Sequence, residues 1–404
     1  MGLAGVVERK AIRVPGFRAA GVRCGVKARG LDLALLVSER PASAAGVFTR
    51  STVVGAPVEL SRTRVQRGGA RAIVANSGCS NVAMGARGRR DARATTAAVA
   101  AALGVAQREV LVASTGVIGE PLPMTRIRAG VRKASSALAP SGLERAARAI
   151  MTTDTFPKLA SARFEVAGRT LTLAGIAKGS GMIEPDMATM LSFLLTDAEV
   201  SPGFLRASLR AASDQSFNRV SIDGEGSTSD MVLLLANGAA GNRRMTGPSS
   251  PGAREFRGAL EAVTAELARD LARDGEGATK LVDVRVRGAR SRAQAERAAR
   301  RIANSLLVKT ALFGADPNWG RILQTLGAGR IDLRLARSRV RLCGVTVFRD
   351  GAATGPAARR RAAARLRGAE VEIEVELAAG AGEAQLWTCD LSYDYVRINA
   401  EYTT

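Results

Sequence analysis

Several short stretches of the chain alternate hydrophobic and polar residues or are hydrophobic throughout, as β-strands are. In the stretch 371–377, Val371, Ile373, Val375 and Leu377 alternate with glutamates, which is typical of a strand with one solvent-facing side. Similar stretches occupy 33–37, 72–74, 110–113, 282–286 and 340–348. Helix-like segments lie between them, and this alternation predicts an α/β or α+β fold.

A second pattern repeats at helical spacing. Large apolar residues recur every three or four positions and stop before Gly275. The members of this stripe are Phe256, Leu260, Val263, Leu267 and Leu271. A stripe on one face predicts a helix packed against the core. Two further helices are predicted to begin at capping boxes, formed by Ser141 with Glu144 and by Ser291 with Gln294.

The length of the chain is sufficient for a large core. With 404 residues, 46% of them hydrophobic, it predicts two or three domain-sized lobes. Its longest apolar stretches, such as 231–236, fall far short of the roughly 18 to 20 residues that span a bilayer. Glu8, Arg9 and Lys10 interrupt an N-terminus that has no apolar signal-peptide core. We therefore expect a cytoplasmic protein without a membrane span.

Cysteine and histidine content restricts the chemistry. Four cysteines lie far apart, and the chain has no histidine, so neither a metal site nor a disulfide framework is predicted. The two standard glycine-rich nucleotide-binding signatures are absent from the sequence. Without histidine, the usual general base of serine and cysteine hydrolases is missing, and any acyl transfer must use another base.

The formal net charge of +22 raises the alternative of a nucleic-acid-binding protein. The arginines, however, are spread over alanine-rich, helix-like stretches, with Arg359 to Arg361 as the one dense run. Aromatic residues make up 4% of the chain, too few for a base-stacking platform. We therefore interpret the charge as an arginine-rich solvated surface and expect no nucleic-acid partner.

Four polar, glycine-containing stretches break the simple periodicity. They occupy 113–119, 151–155, 178–191 and 274–280. Such residues supply backbone amides, hydroxyls and tight turns to functional sites, although any one stretch alone is compatible with a well-packed turn.

These stretches, with others in the same order, resemble the glutamate N-acetyltransferases, also called ornithine acetyltransferases, of arginine biosynthesis. The additional motifs are Gly46-Val47-Phe48-Thr49, Asn76-Ser77-Gly78, Ser216-Phe217-Asn218-Arg219, Ser227-Thr228, Leu233-Leu234-Leu235-Ala236-Asn237-Gly238, Phe313-Gly314-Ala315-Asp316-Pro317-Asn318-Trp319-Gly320-Arg321 and Tyr393-Asp394-Tyr395-Val396-Arg397-Ile398-Asn399-Ala400. Essentially the whole chain is covered. The resemblance implies a two-lobed α/β fold of layered sheets and helices with the self-processing of N-terminal-nucleophile enzymes.

The resemblance also implies that the precursor cuts itself between Ala188 and Thr189 into an alpha chain, 1–188, and a beta chain, 189–404. Thr189 would then carry both the nucleophilic hydroxyl and a free α-amine. The reference pKa of an α-amine is about 7.7 to 8.0, so part of it is neutral at physiological pH and can accept the hydroxyl proton. The missing histidine is compatible with this mechanism.

Further site residues follow from the resemblance, position by position. Thr115 and Gly116 match the oxyanion pair, which stabilises the charge that develops during acyl transfer. Lys178 would bind substrate, and it either lowers the pKa of the Thr189 amine or pairs with a carboxylate. Thr152, or alternatively the adjacent Thr153, would be another substrate contact. Glu276 matches the residue that would receive the substrate's ammonium group. Asn399 and Thr404 match contacts at the mouth of the site.

The implied reaction is a ping-pong exchange. N-acetylornithine acetylates Thr189, ornithine leaves, and glutamate accepts the acetyl group. No cofactor is expected, although some family members accept acetyl-CoA as co-substrate. The resemblance further implies that the cleaved chains stay interlocked and assemble as two of each, a heterotetramer.

The sequence departs from the family pattern at a few positions. Cys79 and Ser80 follow the Asn76-Ser77-Gly78 motif where the family has Asn-Ala, while Glu184 and Asp186 add carboxylates near the predicted cleavage site. Two other function classes stay open at this point. One is a self-processing aminopeptidase or amidase that passes the acyl group to water, and the other is a non-catalytic basic binding protein.

Overall fold

The computed structural model describes residues 7–184 and 190–401. The chain divides into two compact units, the first formed by Met1–Asn218 with Gly226–Ala268 and the second by Arg219–Glu225 with Arg269–Thr403. The predicted two-lobed α/β organisation is thereby confirmed. The predicted cleavage site lies within the sequence of the first unit rather than at a unit boundary.

The first unit contains an eight-stranded sheet and most of the helices that pack on it. Its strands are β1 Phe17–Val22, β2 Leu33–Phe48, β3 Gly69–Cys79, β4 Val110–Val117, β5 Lys158–Val166, β6 Arg169–Lys178, β7 Leu191–Thr196 and β8 Met231–Ala236. Its helices are α1 Ala56–Val65, α2 Gly85–Leu103, α3 Met124–Ser136, α4 Leu143–Ile150, α5 Pro202–Gln215 and α6 Ala253–Arg273, the last of which ends in the second unit.

The long strand β2 connects two parts of this sheet, whose order is β4-β3-β2-β8-β7-β6-β5. Strand β3 pairs with β2 over Leu33 to Val37 and, after a register shift, at Ala42 and Ser43, while β8 pairs with β2 from Ser43 to Phe48. Alternate residues at the start of β2 enter two different apolar clusters, one shared with α2 and α3 and one shared with α4. Since both faces of β2 are covered there, its sequence is hydrophobic without alternation.

Helix α4 positions part of the candidate site. Its Ala146, Ala147, Ala149 and Ile150 are buried in a cluster that also contains residues of β2, β3, β6, β7 and β8. The helix ends at Ile150, so the polar stretch 151–155 begins where this core ends.

The second unit contains a six-stranded sheet in the order β12-β11-β10-β13-β9-β14. Its strands are β9 Leu281–Ala289, β10 Arg339–Leu342, β11 Val345–Arg349, β12 Ala352–Ala353, β13 Glu370–Glu376 and β14 Gly382–Cys389. Its helices are α7 Arg292–Ala303, α8 Leu306–Phe313, α9 Trp319–Ala328, α10 Pro356–Arg365 and α11 Tyr393–Glu401. Short 3-10 helices occur in both units, at Gln107–Glu109 in the first, at Phe217–Arg219 where the chain passes from the first to the second, and at Leu335–Arg337 in the second.

Strand β13 confirms the alternation seen in the sequence. Its valines and isoleucine are buried in the core, while Glu372 and Glu374 lie on the other face and form ion pairs of 2.8 and 2.9 Å with Arg285 and Arg341. One predicted strand was wrong, because 340–348 forms the hairpin of β10 and β11 instead. Cys343 and Gly344 have φ values of 47° and 77°, which match the primed two-residue turns of hairpins.

The predicted helices are partly confirmed. The stripe from Phe256 to Leu271 is buried along α6. Ser291 caps α7 by accepting a hydrogen bond of 3.2 Å from the Gln294 amide. The capping box at Ser141 was wrong, because α4 begins at Leu143 after Gly142 and has no side-chain cap. None of the helices in the described part of the chain is long and apolar enough to span a membrane.

Candidate active site

Three separate segments of the first unit meet at the Lys178 side chain, which lies at the end of β6. Its ammonium donates a hydrogen bond of 2.8 Å to the Thr152 hydroxyl and one of 3.4 Å to the Thr115 hydroxyl. Thr115 lies near the end of β4, and Thr152 follows α4. Lys178 and Thr115 are both buried. Of the two adjacent threonines considered, Thr152 is the one whose hydroxyl contacts Lys178.

Asp154 fixes the backbone on both sides of this contact. Its carboxylate accepts hydrogen bonds from the Thr152 amide at 2.9 Å, the Gly179 amide at 2.7 Å and the Lys158 ammonium at 2.7 Å. Burial opposes ionisation of Asp154, but the charges of Lys158 and Lys178 and these hydrogen bonds outweigh it and hold its pKa well below the usual range. Asp154 could not be recognised as a site residue from the sequence, although it lies within the polar stretch 151–155.

The predicted oxyanion pair lies where β3 and β4 run parallel. Gly116 is opposite Gly78 and has a φ of 123°, and a β-carbon at Gly116 would lie 2.5 Å from the Gly78 carbonyl carbon. Glycine is therefore required at position 116. Because an ammonium can only donate, the Thr115 hydroxyl accepts the bond from Lys178 and keeps its own hydrogen for another acceptor.

The residues predicted at the cleavage site, Ala188 and Thr189, lie outside the described residues, as does Asp186. The chain on either side of them has defined contacts, with β6 on one side and with Asp230 and β8 on the other. Lys178 is opposite Leu191 in the antiparallel pair of β6 and β7, so the connection that carries Thr189 starts beside the Lys178 contact. On the other side, the Met190 amide donates to the Asp230 carboxylate at 2.7 Å, and the Met231 amide donates to the Met190 carbonyl at 3.0 Å.

Asp230 is a second residue that the sequence analysis did not select. It is 1% exposed, and burial raises its pKa well above the usual value, although the Met190 amide lowers it. The carboxyl group thus holds the residue that directly follows Thr189. The sequence shows an aspartate directly before the apolar stretch 231–236, but it does not show that this aspartate contacts Met190.

Two predicted substrate contacts lie in the second unit. The Asn399 side chain, on α11, donates a hydrogen bond of 2.8 Å to Glu276, which lies in the turn between α6 and β9. Burial, with the nearby carboxylates of Asp223, Glu276 and Glu225, raises the pKa of Tyr395 to about 12. This accumulation of negative charge is suited to an ammonium group. Thr404 lies outside the described residues.

The departures at Cys79 and Ser80 have structural contacts. The Cys79 thiol donates to the Glu120 carbonyl at 3.1 Å, and burial raises its pKa. The Ser80 hydroxyl donates to the Val117 carbonyl at 2.8 Å. Both side chains therefore tie the end of β3 to the chain at the end of β4, beside the predicted oxyanion pair.

The chain is similar over almost its whole length to proteins of one family. A family model described as the ArgJ family matches residues 18–404. A Symbiobacterium thermophilum protein named arginine biosynthesis bifunctional protein ArgJ is 50% identical over 399 residues, covering 96% of this chain and 97% of that protein. A Geobacter sulfurreducens protein of the same name is 48% identical over 394 residues, covering 97% of this chain and 100% of that protein.

A solved structure of arginine biosynthesis bifunctional protein argJ from Bacillus halodurans matches with a TM-score of 0.51 and 41% identity. It covers 53% of this chain and 100% of that one. The resemblance stated from the motifs is confirmed: the chain is an enzyme of the glutamate N-acetyltransferase class. It belongs to the ArgJ family.

Proposed function

We propose that this enzyme transfers an acetyl group from N2-acetylornithine to glutamate through an acetyl-Thr189 intermediate, after cutting itself between Ala188 and Thr189. The observation that carries the proposal is the meeting of Lys178, Thr152 and Thr115 at the start of the connection that holds Thr189. Thr115 and Gly116 supply a hydroxyl and an amide for the oxyanion. The α-amine of Thr189 serves as the base, which is compatible with a chain that has no histidine.

The sheet topology supports chains that stay together after cleavage. Strands β7 and β8 would belong to the 189–404 chain, yet they lie between β2 and β6 of the 1–188 chain. Separating the products would break the β2–β8 and β6–β7 ladders and expose strands buried on both faces. The Bacillus halodurans chain matches 53% of this one over its own full length, the share of the sequence that a 189–404 chain would have.

An acetyl-transfer assay tests the reaction. We expect the purified enzyme, given N2-acetylornithine and glutamate, to form N-acetylglutamate and ornithine in equal amounts. Omitting glutamate should stop turnover after one acetyl group per site. Acetate released without glutamate would indicate an aminopeptidase or amidase instead. Salt-sensitive binding to DNA or RNA without any transfer would favour the basic binding protein.

The curated relatives carry the word bifunctional in their names. We propose that the second activity of this chain is acetylation of glutamate by acetyl-CoA, through the same Thr189. Replacing N2-acetylornithine by acetyl-CoA in the assay, and measuring free thiol and N-acetylglutamate together, tests it. No thiol release would restrict the enzyme to the exchange reaction.

Asp230 gives a prediction about self-cleavage. Replacing Asp230 by alanine removes the acceptor that holds the Met190 amide next to the scissile bond, and we expect cleavage to slow by about 3- to 10-fold, the factor that one neutral hydrogen bond is worth. Asp230→Asn keeps an acceptor oxygen and should cleave faster than the alanine variant. The fraction of uncut chain is followed by mass spectrometry after synthesis. Equal rates for the wild type and Asp230→Ala would show that Asp230 has only a structural role.

A further inference from the structure

Lys27 reaches the candidate site from the connection between β1 and β2. Buried Asp32 shapes this connection, because its carboxylate accepts hydrogen bonds from the amides of Cys24 at 2.6 Å, Gly25 at 2.8 Å and Lys27 at 3.1 Å. Three such bonds fix the backbone of the loop. The Lys27 side chain therefore starts from a defined position.

The side chain then passes over the predicted oxyanion strand pair. Its Cγ would lie 2.7 Å from a β-carbon placed on Gly78, the residue opposite Gly116. Its ammonium donates a hydrogen bond of 2.8 Å to the carbonyl of Met151, directly before Thr152. Lys27 thus lies between the oxyanion pair and the Thr152 stretch, near enough to Lys178 for the two charges to interact.

The charge of Lys27 has no bonded carboxylate among the described residues. Its one hydrogen bond goes to a neutral carbonyl, Asp32 binds backbone amides, and Asp154 is bonded to Lys158. Burial lowers the pKa of Lys27, and the charge of Lys178 lowers it further, while Asp32 and Asp154 act in the opposite direction. An ammonium with unused donors beside a second ammonium favours an anionic ligand.

We propose that Lys27 binds the α-carboxylate of the amino-acid substrates, a specificity role that rests on the proposed function. Both N2-acetylornithine and glutamate have an α-carboxylate next to the reacting nitrogen. Their side-chain ends differ, since one is a cation and the other an anion. Since the oxyanion pair is predicted to hold the acetyl oxygen, a lysine beside Gly78, the residue opposite Gly116, suits the group that the two substrates share. Near the ornithine ammonium it would repel the substrate.

The test compares two acetyl donors that differ in this carboxylate. N-acetylputrescine is N2-acetylornithine without the α-carboxylate. Because we expect the enzyme to turn it over more slowly, its kcat/KM is measured with excess enzyme. In Lys27→Met, kcat/KM for N2-acetylornithine should fall by about 10- to 100-fold, mainly through KM, as expected for the loss of one charged hydrogen bond. The value for N-acetylputrescine should not change. Lys27→Arg should recover most of the loss because it keeps the charge.

Lys133→Met provides a matched control, because exposed Lys133 also donates to a backbone carbonyl, that of Arg23 at 3.5 Å, and its loss should change neither donor's rate. Mass spectrometry confirms that each variant is cut before assay. Equal losses on both donors in Lys27→Met, or an uncut chain, would assign Lys27 a structural role and overturn the proposal. A wild type that transfers acetyl from neither donor would instead refute the proposed function, and the Lys27 proposal with it.

Discussion

Replacing Thr189 by alanine is expected to abolish self-cleavage, so that mass analysis finds one chain of 404 residues where the wild type gives chains 1–188 and 189–404. The reason is chemical. Cleavage needs a hydroxyl that attacks the Ala188 carbonyl, and alanine has none. Acetyl transfer should disappear in the same variant, because neither the nucleophile nor the free α-amine is formed.

Thr189→Ser is the matched control, since it keeps the hydroxyl and should still cleave. Mass spectrometry of freshly made protein measures the effect without assuming any substrate. A cut Thr189→Ala chain would mean that another residue or a contaminating protease cleaves it. An uncut wild type would point to the carboxylates of Glu184 and Asp186, the two departures nearest the scissile bond, and exchanging them for Gln and Asn would then be the next measurement.

The elements could be predicted from sequence wherever one local pattern determined them. The stripe along α6 and the alternation in β13 each report burial of one face, and both predictions are confirmed. The hairpin at 340–348 was missed because apolar residues continue through it, so hydrophobicity gives no sign of the turn at Cys343 and Gly344. The start of α4 was missed because Ser141 lies one residue before the capping position.

The candidate site could be predicted only as separate motifs. Thr115, Thr152 and Lys178 came from resemblance, and the contact between them depends on how β2 links the two parts of the sheet. Asp154, Asp230 and Lys27 have no sequence pattern of their own, because each acts through a backbone group of another segment. Long-range hydrogen bonds of this kind need coordinates. The second-unit pair, Glu276 with Asn399, likewise joins residues more than a hundred positions apart.

Replacing Thr115 by alanine is expected to reduce kcat for acetyl transfer by about 100- to 1000-fold, the usual cost of removing one oxyanion donor. The Thr115 hydroxyl makes a single hydrogen bond to the described residues, which it accepts from Lys178 at 3.4 Å. The fold should therefore tolerate its loss. Thr115→Ser keeps the hydroxyl and should retain most of the activity. Gly116→Ala is unsuitable for this purpose, because its β-carbon would collide with the Gly78 backbone and displace β4.

The transfer rate is measured on material that mass spectrometry shows to be cut, because an oxyanion donor can also contribute to self-cleavage. KM should change little, since the donor binds the charge that develops on the acetyl oxygen and not the ground-state substrate. An unchanged kcat would remove Thr115 from the oxyanion site and leave the Gly116 amide as its only predicted donor. A rise in KM with constant kcat would instead mean that Thr115 acts through Lys178 in substrate binding, which the bond between the two side chains makes the natural alternative.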